Sequence, residues 1–462
     1  MPDSPPQALS ELVQRQMQRL LVPGVALGII HGDVEHSAGF GVTNLEHPLA
    51  VDADTLFQIG SISKTVAATA AMRLVEAGKL DLDLPVRTYL PELRLADEEA
   101  AAGVTLRHLF SHTGGWEGDY FGDSGSGDHA LAKMVAKLAH LSQLAPLGRY
   151  WSYCNSGFYL AGRVLEVVAG KPYEALATEL VLAPLGMSMS FFFAADCITY
   201  RVASGHGAVF GGGQGKPKVA RPWALARCVA PAGGVISSLR DQLRYARFHM
   251  GDGTAADGKR LLSPQSLALM QTPHADAGGD RSCGVAWFIR DVAGRRIVSH
   301  DGATNGQQAA LLMVPAERFA VCVLTNSDRG SELNGAVVTW ALAHYLGAEA
   351  KECELVETSV EQLASYAGRY RSTLQDAVLR QVGEGLVLQI VPRGGFPLTD
   401  SPPAPMPPPM RAALCGEDRL VILEEPGKGG RGEFLRTSDG SIEWLRLRGR
   451  LHGRRPEGES PG

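Results

Sequence analysis

The sequence predicts an α/β fold: an antiparallel sheet flanked by helices, with an inserted, mostly helical subdomain, followed by a separate all-β, barrel-like domain. Three observations carry this reading. Apolar runs joined by short turns occur at 25–41 and again at 283–325, as antiparallel strands require. Residues 81–223 read as helix and loop with little strand character. After Ala348 short strand-like runs take over, separated by glycines and by the proline-rich loop 402–409. A chain of 462 residues also exceeds what one compact core usually holds. The expected division is a first domain over 1–350, with the helical subdomain at about 80–225, and a β domain over 360–462.

Taken in order, Leu9, Leu12, Val13, Met17, Leu20 and Leu21 recur at helical spacing, so 7–21 reads as an amphipathic helix closed by Pro23-Gly24. The runs 25–30 and 34–41 flank Gly32-Asp33, a two-residue hairpin signal. The run 65–77 is rich in helix formers and Gly78 supplies its stop. Further helices are expected at 104–110, 129–144, 155–168 and 172–182, the third stopping at Gly170 and the last carrying proline in its first turn. Strands at 283–290, 296–300, 307–314 and 318–325 form a meander, and a helix at 332–346 is expected to pack on that sheet beside the 65–77 helix. In the β domain, strands are expected at 366–370, 377–382, 386–391, 419–423 and 442–447. The basic tail that carries Arg446, Arg448, Arg450, Arg454 and Arg455 reads as a solvated strand end with a flexible terminus rather than an anion-binding patch.

Composition narrows the function classes. With 45% hydrophobic and 20% charged residues the chain has the make-up of a soluble globular protein, and a formal net charge of -5 argues against a nucleic-acid surface. No basic n-region with an apolar h-region opens the chain, and no apolar run is long enough to span a membrane. Seven cysteines, odd in number and never spaced Cys-x-x-Cys, suit reduced thiols in the cytoplasm and no zinc ribbon. His108 and His112 are four apart but no third ligand follows, so neither a metal nor a cofactor is expected. The run Gly211-Gly212-Gly213-Gln214-Gly215-Lys216 departs from a phosphate loop, with Phe210 where the first glycine belongs and Pro217 in place of Ser or Thr; it reads as a flexible loop.

The chemistry-bearing stretch is Gly60-Ser61-Ile62-Ser63-Lys64, which opens the 65–77 helix. A serine at a helix N-terminus sits where free N–H groups and the positive dipole end favour developing negative charge. A lysine in the first turn is disfavoured by the same dipole, which lowers its pKa toward use as a base. The alternative is that Ser61 or Ser63 caps the helix and Lys64 is solvated. Two later groups bear on the choice: Tyr153-Cys154-Asn155, just before a helix, and His300-Asp301-Gly302, at the end of a strand.

In this order the three groups resemble the serine β-lactamase and penicillin-binding superfamily, in its class C, D,D-carboxypeptidase, D-aminopeptidase and esterase branch. The resemblance extends through Phe57-Gln58-Ile59-Gly60-Ser61, Leu109-Phe110-Ser111-His112-Thr113, Pro231-Ala232-Gly233-Gly234 and Leu324-Thr325-Asn326, over roughly residues 8 to 347. It implies a β-lactamase/transpeptidase-like fold in which Ser61 attacks a carbonyl and forms an acyl-enzyme. Tyr153, its pKa depressed by Lys64, would be the general base; Asn155 would bind Lys64 and the substrate. Backbone N–H groups of Ser61 and Ala303 would form the oxyanion hole. His300 stands where β-lactamases usually carry lysine, and a neutral imidazole binds a carboxylate less strongly, which favours an esterase or a peptidase. Asp301 would repel an anionic substrate further, or faces water as a turn residue. Gly302, Trp116, Tyr120 and Phe121 are candidate substrate contacts; the three aromatics line an apolar acyl pocket or pack the subdomain. The β domain resembles the lipocalin-like C-terminal domain attached to some members. The implied partner is a small-molecule ester, amide or β-lactam, with no nucleic acid and no membrane, and a homo-oligomer is compatible with it. The competing activities are a D-aminopeptidase or D,D-peptidase, a weak β-lactamase, and a penicillin-binding sensor acylated without turnover.

Overall fold

The computed structural model describes residues 5–207, 216–351 and 353–456. All of the glycine-rich run except Lys216, and the end of the tail from 457 on, lie outside the described residues. Helix α1 (Gln7–Leu20) buries Leu9, Val13 and Leu20. It leads into β1 (Gly24–His31) and β2 (Val34–Gly41), whose His31–Val34 pairing leaves Gly32-Asp33 as the expected two-residue turn.

The sheet is completed late in the chain by β3 (Ala275–Gly278), β4 (Arg281–Cys283), β5 (Phe288–Val292), β6 (Arg295–Thr304), β7 (Gln307–Val314) and β8 (Phe319–Thr325). Its eight strands run in the order β2-β1-β8-β7-β6-β5-β4-β3, and every neighbouring pair is antiparallel. The expected strand 283–290 is broken. The N–H groups of Val285 and Ala286 bond to Met270 and Phe110 carbonyls, at 3.0 and 3.1 Å, instead of to a neighbouring strand. Strand β6 runs on past His300 to Thr304, so the third sequence group lies within a strand rather than at its end.

Both faces of the central strands are apolar, so the sheet takes helices on both sides. Val25, Leu27 and Ile29 of β1, with Leu312, Val321 and Val323, pack with α1 and the helix Gly330–Leu346. Ala26, Ile30, Leu311, Met313 and Cys322 face the opposite layer, which contains α2 (Ser63–Glu76). The late helix therefore lies across the sheet from the Ser61 helix and not beside it. Alternation of side chains along a strand sends the two halves of one apolar run to different layers, and the sequence does not say which helix covers which half.

The C-terminal strands close a barrel: β9 (Gly368–Arg371), β10 (Gln375–Val382), β11 (Gly385–Pro392), β12 (Met410–Leu414), β13 (Arg419–Ile422), β14 (Arg431–Arg436), β15 (Ile442–Leu447) and β16 (Arg450–Arg455). Tyr370, Leu379, Leu388, Phe434 and Leu445 fill it. Three of these strands, β12, β14 and β16, were not among the expected runs, because alternate positions carry arginine, glutamate or small residues and the segments are short. The expected flexible basic tail is corrected accordingly. Residues Arg450–Arg455 form β16, which pairs with β15 on one side and β9 on the other and closes the barrel. Among the described residues no helix is long and apolar enough to cross a membrane.

Candidate active site

Ser61 lies in a 3-10 turn, Gly60–Ile62, that feeds directly into α2. Neither serine caps the helix: no side-chain cap bond is made at Ile59 or Ile62, and Ser63 Oγ instead accepts the Val235 N–H at 2.9 Å. Lys64 is fully buried, which disposes of the solvated reading. Its Nζ lies 3.0 Å from Ser61 Oγ, 2.7 Å from Asn155 Oδ1 and 2.6 Å from the Ala232 carbonyl oxygen. Burial pushes its pKa well below the ordinary lysine range, with the Arg450 guanidinium adding to the shift and Asp119 opposing it. A neutral amine has two N–H donors and one lone pair. Asn155 Oδ1 and the Ala232 carbonyl can only accept, so they take both donors and the lone pair is left for the Ser61 hydroxyl.

The side-chain amide of Asn155, first residue of the helix Asn155–Ala169, is oriented from behind. Its Nδ2 donates to Asp119 Oδ1 at 2.7 Å, which turns Oδ1 toward Lys64. Asp119 in turn accepts from Arg450 Nε at 3.0 Å and Nη2 at 3.3 Å. Arg450 arrives from the barrel, at the start of β16. The β15–β16 hairpin lies on the segment before that helix: the Gly449 carbonyl accepts the Tyr153 N–H at 2.8 Å, and Leu451 N–H donates to Ser152 Oγ at 3.2 Å. A Cβ on Gly449 would come within 3.0 Å of the Trp151 ring, and its φ of +74° favours glycine as well.

Tyr153 is buried, and has Lys64 Nζ at 4.9 Å and Arg450 Cζ at 4.5 Å from its ring centroid. Burial raises its pKa above the phenol range, an effect that the Ser61 hydroxyl and Arg450 only partly offset. The expected depression by Lys64 is thus corrected: burial raises the Tyr153 pKa, and it is the Lys64 pKa that burial lowers. His112 stacks on the Tyr153 ring at 4.4 Å and accepts the Cys154 N–H with Nδ1.

His300 is buried against Phe288 and Tyr153, ring centroids 5.1 and 6.3 Å away. Burial, with Lys64 adding to it, holds its pKa at about 3, so the imidazole is neutral as expected. Its Nδ1–H donates to the Asp301 carbonyl at 2.7 Å, and Nε2 is buried without a partner among the described residues. Asp301 is an exposed strand residue and not a turn residue, with Arg281 and Arg290 as neighbouring charges. Gly302 and Gly60 let β6 touch the Ser61 turn backbone to backbone. A Cβ on Gly302 would sit 1.9 Å from the Ile59 carbonyl oxygen and 3.0 Å from Ser61 N, and one on Gly60 would sit 2.6 Å from Ala303 N. The N–H-bearing atoms of Ser61 and Ala303 are brought together by this contact.

The aromatic candidates divide. Trp116 is a core residue whose Nε1–H donates to Ser156 Oγ at 3.0 Å, so it packs the subdomain. Tyr120 is half-buried against the same core, and Phe121 meets Phe396 of the barrel with ring centroids 5.0 Å apart. A cavity of about 310 Å³ beside Gln58 and Gly234 is lined instead by Phe192, Phe193 and Trp223. Sequence reasoning missed Asp119, Arg450 and the Ala232 carbonyl. The alternation Leu445-Arg446-Leu447-Arg448-Gly449-Arg450-Leu451 was the available signal for a hairpin at Arg448-Gly449.

A family model described as beta-lactamase matches residues 9–345, which include Ser61, Lys64, Asp119, Tyr153, Asn155 and His300 but not Arg450. The chain belongs to the beta-lactamase family. Among curated relatives, penicillin-binding protein 4 of Amycolatopsis lactamdurans is 37% identical over 312 residues, 66% of this chain and 81% of its own length. Esterase EstB of Burkholderia gladioli is 35% identical over 199 residues, 40% of this chain and half of the esterase. Among solved structures, SurE with D-Leu superposes with a TM-score of 0.72 at 23% identity, covering 97% of this chain and 98% of its own, barrel included. This beta-lactamase-family protein is a serine hydrolase.

Proposed function

We propose that the protein cleaves small esters or amides through an acyl-enzyme on Ser61. The hydrogen-bond accounting at Lys64 carries this reading: burial lowers the pKa of the amine, and in its neutral form, with both donors committed to Asn155 and Ala232, its lone pair faces the Ser61 hydroxyl at 3.0 Å. Ser61 Oγ attacks the carbonyl carbon as its proton passes to Lys64. The oxyanion forms beside Ser61 N and Ala303 N. Tyr153, neutral and beside Ser61, delivers its proton to the departing oxygen or nitrogen and recovers one from Lys64. Water then repeats the sequence on the acyl-enzyme. Asn155, Asp119 and Arg450 hold Lys64 in place, and the acyl side chain takes the cavity of Phe192, Phe193 and Trp223.

The test is incubation with a p-nitrophenyl short-chain ester, a chromogenic cephalosporin and a D-alanyl anilide, with Ser61→Ala as control. Turnover of the ester or anilide, lost in the variant, is expected. Undiminished turnover by Ser61→Ala sinks the mechanism, and a stoichiometric burst that stops selects the sensor reading. Cleavage at D-amino-acid residues is the second reading, favoured by the D-leucine held by the structural neighbour SurE.

A further inference from the structure

A cavity of about 560 Å³ lies between the barrel and the Ser61 half of the molecule, and Tyr153 is on its wall. Its barrel side carries Arg371, Arg393, Arg454 and Arg455 beside Trp444. Of the acidic side chains on that side, Glu443 lines the cavity and Asp376 is shared among arginines. Asp376, with a side chain 3% exposed, faces three guanidinium groups, those of Arg371 at 3.1 Å and of Arg369 and Arg393 at 3.8 Å each. Arg454 Nη2 donates to the neutral Ala367 carbonyl at 2.9 Å. On the opposite wall Asp119 is already engaged by Arg450, which leaves Glu117 and Glu443 as the other acidic side chains of the lining. Trp444 Nε1, on this wall, is a buried donor without an acceptor among the described residues. Such a wall is rich in guanidinium and indole donors, and an anion accepts from them.

We infer that this cavity receives an anionic group carried on the leaving arm of the substrate, a carboxylate or a phosphate monoester. The direction rests on the proposed function: Tyr153 protonates the leaving atom, so the departing arm lies on the Tyr153 side of Ser61, toward the cavity. The barrel then acts as a selector for substrates whose leaving arm ends in negative charge, while the apolar cavity near Gly234 takes the acyl side.

Binding is measured by calorimetry on the full-length Ser61→Ala protein, so that it does not depend on turnover. The probes are N-acetyl-β-alanine, N-acetyl-O-phosphoethanolamine and the neutral N-acetylethanolamine. At least one anion is expected to bind about tenfold or more tighter than the neutral probe, and to weaken as salt is raised. Whichever anion binds tighter identifies the source of the charge. The preference is expected to fall about tenfold in Arg371→Gln, and also in Arg455→Gln, an exposed position that spares the barrel core. Equal binding of all three probes overturns the inference, as does a preference that both variants retain. Intact anion selectivity in Ser61→Ala, beside a wild-type protein whose Ser61 is never acylated by the ester or anilide, supports the cavity and refutes only the hydrolytic reading.

Discussion

Replacing Arg450 by methionine removes a charge from the site while keeping an unbranched side chain over Tyr153. Lys64 Nζ and Arg450 Cζ lie 4.9 and 4.5 Å from the same ring centroid, so the two cations are at most about 9 Å apart. At an effective dielectric near 20 that separation corresponds to a repulsion of about 1–2 kcal/mol. Since the Arg450 side chain is 34% exposed, the lower end of that range is expected. Arg450 is one of the causes that depress the Lys64 pKa, and Asp119, which opposes the depression, is left unpaired by the substitution. Both changes favour the ammonium. Lys64 accepts the Ser61 proton only when neutral, so the acid limb of kcat/KM must move to higher pH. Below the limb the loss is about tenfold or somewhat less. The assay is kcat/KM against pH on the best ester or anilide, with Arg450→Lys as the companion that keeps the charge and hence the limb. An Arg450→Met limb that coincides with wild type, with rates within a factor of about two, refutes the idea that the barrel tunes Lys64.

Gly302→Ala drives a methyl group to 1.9 Å from a backbone oxygen, so it is expected to lower kcat by at least about a hundredfold and to cost about 2–4 kcal/mol of stability, read by activity and thermal melting. Gly335→Ala, in the helix Gly330–Leu346 with nothing within 4 Å of the new Cβ, is expected to stabilise by about 0.5–1 kcal/mol in the same melting assay. Lys64→Met is expected to abolish turnover and to flatten the pH dependence of stability. In wild type the folded-state pKa is depressed, so the unfolded chain binds more protons, and stability rises with pH up to the free lysine value of about 10.4. A denaturant series across pH that shows equal slopes for both proteins contradicts the lowered Lys64 pKa. Asp119→Asn removes the carboxylate that fixes the Asn155 amide, and a fall in kcat of about tenfold or more without a matching rise in KM is expected from steady-state kinetics.

Much of the sheet and the Ser61 helix was legible because their signals are local: apolar alternation, helix formers, and stops such as Gly78 and Gly170. Strands β12, β14 and β16 were not, since a short barrel strand with arginine on its outer face differs little from a polar loop until its neighbours are known. The side of the sheet taken by the helix Gly330–Leu346 was misjudged for a related reason: a strand that is apolar on both faces does not name the helix on either.

What the sequence by itself determined was which residues gather around Ser61. Ser61 and Lys64 are one helical turn apart, and Tyr153 with Asn155 and His300 with Gly302 stand beside turns and strands whose spacing is set along the chain. Only the tertiary structure decided the pKa values of that cluster. The Lys64 pKa is lowered because α2 is buried, and Arg450 reaches Asp119 across 331 residues because a barrel closed by β16 lays its last hairpin on Tyr153. Desolvation and long-range pairing depend on which surfaces meet, and no local pattern of residues encodes that meeting.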